Sequence, residues 1–142
     1  MNAITIDSHV TTGAPRRRGA IAGWAMSGLV ILFLLLDGTM KLVPLQVVID
    51  TTATLGWPTD PATLRLLGVL TLGSALLYAW PRTSMLGAIL MTGYLGGAVA
   101  THARIGSPLF SHTLFGVYIG ALAWAGLALR TPALRALLIR RD

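Results

Sequence analysis

The chain has 142 residues, room for one domain, yet 54% of them are hydrophobic and only 11% are charged, against about a quarter in a soluble domain. The absence of cysteine excludes structural disulfides, thiolate nucleophiles, thiolate-ligated metals and covalently attached c-type haem. The net charge of +6 raises nucleic acid as a partner, but the basic residues stand in short clusters bordering apolar runs. That is the arrangement of membrane topology, and no nucleic-acid role is expected.

In chain order, Met1 to Pro15 are small and polar without periodicity, and with Arg16, Arg17 and Arg18 they predict a disordered basic tail over residues 1–18. From Gly19 the chain is uncharged and rich in Leu, Ile, Val and Ala, which predicts a first span over about 19–40. A basic run before an apolar stretch also describes a signal peptide. No small-residue cleavage site follows Leu36, where the chain reads Asp37, Gly38, Thr39, Met40, Lys41, so the segment is read as an uncleaved anchor.

Leu42 to Leu55 is semi-apolar, too short and too interrupted to span, and predicts an interfacial or re-entrant helix that stops at Gly56. Trp57 beside Pro58 suits the headgroup level. Asp60 as N-cap with Pro61 at the first helical position starts a second span over 61–80. Pro81 to Ser84 is a turn too short for anything but an antiparallel return, and the third span follows over 84–103. Gly106, Ser107 and Pro108 mark the next loop, and 109–129 is the fourth span. The tail, residues 130–142, carries Arg130, Arg135, Arg140 and Arg141 with Leu134, Leu137 and Leu138 at helical spacing, a basic amphipathic helix for a membrane surface. The fold class is therefore an all-α membrane protein, a four-transmembrane-helix bundle.

Orientation follows from the basic residues. One side holds Arg16, Arg17, Arg18, Arg82, Arg130, Arg135, Arg140 and Arg141, and the other only Lys41, Arg65 and Arg104. The positive-inside rule puts the richer side, with both termini, in the cytoplasm.

Lipid gives little hydrophobic drive for helices to associate, so close approach at small residues has to hold them together. Gly93 and Gly97, with Gly96 and Ala100 beside them, form one GxxxG pair, and Gly116 and Gly120 another. Packing within one bundle is the favoured reading of both, and a homodimer seam the other.

Ionisable residues at membrane depth are costly and often functional. Counting ~1.5 Å per residue from the start of the first span, Asp37 lies about 25 Å up. His102, Arg104 and His112 reach a similar height from the third and fourth spans, and Lys41 stands one turn beyond Asp37 as an i, i+4 partner. These five residues converge on one membrane face. As a site they can bind an anion, move protons or contact a quinone head group; as structure they cap and anchor helix ends, the reading given slight preference. A metal held by Asp37, His102 and His112 has no compact ligand motif behind it, so no metal is expected. Both histidines also lie near the interface rather than facing one another within the bundle, which argues against haem. Tyr94, nearer mid-membrane, is a candidate to hydrogen-bond a lipid or quinone, with a packed tyrosine as the alternative. No phosphate loop, nucleophile elbow or carboxylate pair is present.

With these residues in view, the chain resembles the DoxX-like family of small bacterial membrane proteins over about Gly19 to Arg135. The resemblance is carried by Pro81-Arg82-Thr83, by Leu86-Gly87-Ala88-Ile89-Leu90 and by the run from Gly93 through Tyr94, Gly96 and Gly97 to His102, with Arg104 close behind. Asp37-Gly38 with Lys41, and Leu55-Gly56-Trp57-Pro58, fit its first half. It implies a multi-pass inner-membrane protein, among whose relatives are membrane subunits of a thiosulfate:quinone oxidoreductase and a membrane component associated with oxidative-stress enzymes. The implied function is a membrane subunit or anchor of a quinone-linked redox complex, at most an oxidoreductase subunit. Membrane lipids, redox enzyme subunits or a second copy would be the partners, and quinone the only cofactor suggested. The alternatives are a non-catalytic scaffold and, more remotely, a small transporter. In one departure the second span carries Thr71 where relatives often have an acidic residue, so chemistry needing a carboxylate there is not expected.

Overall fold

A computed structural model describes residues 14–43 and 45–138. Most of the tail expected over 1–18, together with Arg140 and Arg141, lies outside the described residues. The elements are α1 (Ala14–Leu42), α2 (Gln46–Thr54), α3 (Pro61–Ala79), α4 (Ser84–Arg104), a single π-helical turn (Leu109–Thr113), α5 (Phe115–Arg130) and α6 (Pro132–Leu138). Four segments are long and apolar enough to cross a membrane: Arg17–Leu42, Pro61–Ala79, Ser84–Arg104 and Leu109–Arg130. Helix is the form that lets an apolar segment satisfy its own backbone in lipid.

Local signals set the boundaries. Asp60 Oδ1 accepts the amides of Ala62 and Thr63, both at 3.0 Å, and its Oδ2 accepts the Thr63 hydroxyl at 2.6 Å. With Pro61 at the first helical position, this fixes the start of α3. Those bonds, the Thr63 hydroxyl first, hold the Asp60 carboxyl below its ordinary value of 3.8. Two glycines end helices in the left-handed conformation, Gly56 (φ 73°) after α2 and Gly106 (φ 67°) after α4. Each closes the same paired motif. Trp57 N–H donates to Thr52 O and Gly56 N–H to Ala53 O; Ser107 N–H donates to His102 O and Gly106 N–H to Ala103 O.

The four long helices form a ring in which α1 and α4 each pack on both α3 and α5 and stand across the bundle from one another. Glycines permit the closest approaches. A Cβ on Gly126 would meet Gly23 O and Ser27, one on Gly68 would meet Gly38 O, and one on Gly87 would collide with the Tyr78 backbone. The expected interhelical seam at Gly93, Gly96 and Gly97 is not what the structure shows. A Cβ at any of the three meets nothing within 4 Å: Gly93 and Gly97 border open space between the helices instead of a packed neighbour. Of the second pair, Gly116 lies against Val99 and Leu95 O, while Gly120 makes only an ordinary 3.8 Å contact with Leu95.

The core runs through Val30, Leu34, Ala75, Tyr78, Ala88, Met91, Leu95, Ala123 and Leu127. Tyr78 is fully buried. Its hydroxyl donates to Ala123 O at 2.7 Å, which leaves its lone pairs for the Ser27 hydroxyl at 2.8 Å, so one side chain ties α3 to α1 and α5. Arg130 closes this end of the bundle. Its guanidinium stacks on the Trp24 and Tyr78 rings at 4.5 and 4.7 Å and donates to Tyr78 O at 2.9 Å, satisfying a terminal carbonyl of α3. Helix α6 turns back so that Leu134 joins the core and Arg135 donates to Leu129 O at 2.8 Å.

Candidate functional site

At the opposite end the ring is open. A cavity of about 460 Å³ lies between α1 and α4, flanked by α3 and α5 and roofed by α2. Of the five charged and imidazole residues expected to converge, four line it: Asp37, Lys41, His102 and His112. Arg104 does not. It lies at the rim, where its guanidinium donates to Leu55 O at 2.8 Å and packs against Gly56.

The mouth is polar because of where the helices end. Helix α1 continues to Leu42, so Asp37 and Lys41 fall one turn apart and Lys41 Nζ donates to Asp37 Oδ2 at 2.5 Å. Their side chains are only 31% and 17% exposed, which makes the pair part of the cavity wall rather than a solvated surface bridge. The turn at Gly106 folds Ser107 back over the last turn of α4, and Ser107 Oγ engages His102 Nδ1 at 3.0 Å. Thr113 donates to Ser107 O at 3.2 Å, tying the π turn to the same loop. In that turn Thr113 N–H and Leu114 N–H reach back five residues, to Pro108 O and Leu109 O. An ordinary helix was expected from 109; the wider turn presents His112 on the cavity side. His112 Nδ1 is engaged by Ser111 Oγ at 2.8 Å. The His102 and His112 rings stand 5.9 Å apart at 58°. A helix end and a bent helix start bring them together at the cavity mouth, at the end of the bundle where the sequence places both.

Each ring therefore has its Nδ1 committed to a serine hydroxyl, and its Nε2 is the position open to a ligand. With Lys41 this gives a cluster able to donate hydrogen bonds to acceptor oxygens or to exchange protons with them. Among the described residues no group of three histidine or carboxylate side chains is placed to hold a metal.

Below the mouth the wall is apolar, formed by Phe33 and Leu34 from α1, Leu67 from α3, Leu95 and Ala98 from α4 and Phe115. Phe33 and Phe115 meet edge to face with centroids 5.3 Å apart. Tyr94 also lines the cavity, half-buried, one turn below Ala98. Thr71, in place of the acidic residue that relatives suggested, is buried and donates to Leu67 O of its own helix at 2.8 Å; it does not line the cavity.

The roof is lightly held. Helix α2 packs only sparsely on the spans. Its C-terminal end is tied to α4 by the Arg104 bond to Leu55 O and by Trp57 Nε1, which donates to Thr101 Oγ1 at 3.4 Å. Its inner face supplies Val47, Val48, Thr51 and Thr52 to the cavity, while Asp50 turns outward and accepts from Gln46 at 2.8 Å.

Composition did not single out several of these participants. Ser107, Ser111 and Thr101 take part through the folding back of loops, and Phe33 and Phe115 are ordinary members of apolar runs until the cavity appears between them. The nearest sequence signals were Gly106 two residues after Arg104, and Ser111 next to His112.

No curated protein and no solved structure matches the chain. A family model described as DoxX-like family matches residues 25–126. That stretch runs from the middle of α1 nearly to the end of α5 and includes Asp37, Lys41, His102, Arg104 and His112, so the chain belongs to the DoxX-like family.

Proposed function

We propose that this protein is a multi-pass subunit of the bacterial inner membrane, its basic end in the cytoplasm, that receives the head group of a membrane-dissolved quinone and serves a redox complex as its quinone-binding membrane component. One observation carries the reading: a single cavity with donors at its mouth and hydrocarbon below. A quinone presents two carbonyl acceptors on a flat apolar ring. Lys41, His102 and His112 match the acceptors, and Phe33 and Phe115 the ring. Conversion to quinol takes up two electrons and two protons. Imidazoles at the mouth are suited to deliver the protons, since each is oriented through Nδ1 and open at Nε2. The chain has no cysteine and no nucleotide-binding loop, so the reading assigns electron delivery to a partner enzyme.

The test is direct binding in lipid nanodiscs. Titration of a decyl-substituted benzoquinone should quench tryptophan fluorescence saturably, through Trp57 at the mouth. Replacing both His102 and His112 by Ala should weaken that binding by about tenfold, since two hydrogen bonds to the head are lost. Quenching that never saturates, or that ignores the double substitution, overturns the reading.

A second reading, a non-catalytic scaffold, is favoured by the open glycine edge of α4. It predicts that a bulky residue at Gly96 abolishes function in a complementation assay while the double histidine variant retains it.

A further inference from the structure

The cavity has a neighbour. A second recess of about 470 Å³ lies between α3 and α4, lined by Val69, Leu70, Gly73 and Leu77 on one side and by Ile89, Leu90, Gly93 and Tyr94 on the other. Gly93 and Tyr94 line both. The recess exists because two facing positions lack side chains: a Cβ on Gly73 or on Gly93 meets nothing within 4 Å. Its one hydroxyl-bearing α3 residue, Ser74, is spent on Leu70 O at 2.7 Å, so this wall offers hydrocarbon and no free donor.

Depth orders the two spaces. Gly93 is nine residues from the start of α4, roughly 13 Å into the membrane and near its middle, while His102 is nine residues further on, at the polar level. A molecule whose head sits between His102, His112 and Lys41 would pass Tyr94 and Gly93 as it descends. It would then lie along the α3/α4 recess, parallel to the surrounding acyl chains.

We infer that the recess between α3 and α4 is the tail subsite of the same ligand, so that the protein selects a long-chain amphiphile held with its head at the His102 mouth and its chain passing Gly93 into the groove. The inference rests on the quinone reading for the head group and adds the tail, its route and the residue that opens the route. Hydrocarbon is as well solvated by lipid as by protein, so the groove contributes passage rather than hydrophobic gain. Blocking it should therefore exclude the chain sterically and spare the head.

The experiment uses the full chain in nanodiscs and two probes with one head group, a benzoquinone bearing a decyl chain and the same benzoquinone without it. Gly73→Leu, at a position with room for a Cβ, and Leu90→Trp narrow the groove from opposite helices at residues that line the recess and not the head-group cavity, so each checks the other should one fail to fold. The expected result is a loss of about tenfold or more in affinity for the decyl probe in either folded variant, with the chainless probe within about twofold of the unsubstituted protein. Equal retention of both probes, or equal loss of both, overturns the tail subsite and leaves the head site standing. If neither probe binds the unsubstituted protein, the quinone reading fails and the tail assignment falls with it.

Discussion

At the scale of single residues the same amino acid does opposite work in two places. Gly87 is pressed against the backbone of Tyr78, whereas Gly93, six residues along α4, borders empty space. Gly87→Ala should therefore destabilise the bundle by about 1–3 kcal/mol, the usual cost of forcing atoms into a packed seam. Gly93→Ala should be neutral or slightly stabilising, because alanine is the better helix former. Thermal unfolding of the two variants in one detergent checks the contrast, and equal shifts would contradict it. Asp60 gives a pH-dependent case. Its lowered pKa means that the cap is complete above 3.8 and is lost as the pH falls through the lowered value. Asp60→Ala should unfold at lower temperature than the unsubstituted protein near neutrality, and the gap should close in strong acid. The Asp60 cap and the Asp37 to Lys41 spacing are legible in the sequence because both partners lie within one turn. The glycine contacts are not legible, since spacing says which residues share a helix edge and nothing about which edge meets a neighbour.

At the scale of elements, the short segment between the first two spans matters more than its length suggests. Helix α2 covers the cavity, and the cross-links described for its C-terminal end are the Arg104 bond to Leu55 O and the long contact from Trp57 to Thr101. Arg104→Ala leaves the cavity wall untouched yet removes the shorter of the two. Amide exchange in α2 should then rise by about tenfold while α3 and α4 keep their protection, a local opening rather than a global one. Unchanged exchange in α2 would show that the roof is held by its apolar face instead. The sequence marks α2 as too short to span and places its end at Gly56. It is silent on what α2 covers, because that depends on α1 and α4 standing across the ring from one another. The π turn was hidden for a related reason: one extra residue in a turn leaves the apolar pattern of 109–129 intact while changing where His112 points.

For the whole molecule, the two ends of the bundle differ in charge as well as in packing. Around the cavity, Lys41, Arg65 and Arg104 are matched by Asp37, Asp50 and Asp60, whereas the end closed by Tyr78 and Arg130 carries Arg17, Arg18, Arg82 and Arg135 with no carboxylate among the described residues. The hydropathy pattern made four crossings legible, and the crossings put these groups at opposite ends without deciding which end is cytoplasmic. The positive-inside rule predicts that the Arg82 turn faces the cytoplasm and the His102 mouth faces outward. The natural absence of cysteine makes this simple to measure, since any thiol introduced is the only one. In intact inner-membrane spheroplasts, a membrane-impermeant maleimide should label Arg65→Cys or Ser111→Cys, both exposed near the cavity mouth, and leave Arg82→Cys unlabelled until the cells are lysed. The reverse pattern would turn the molecule over. It would also move the proposed head-group site to the cytoplasmic side, so that protons for quinone reduction would be drawn from the cytoplasm rather than from outside the cell.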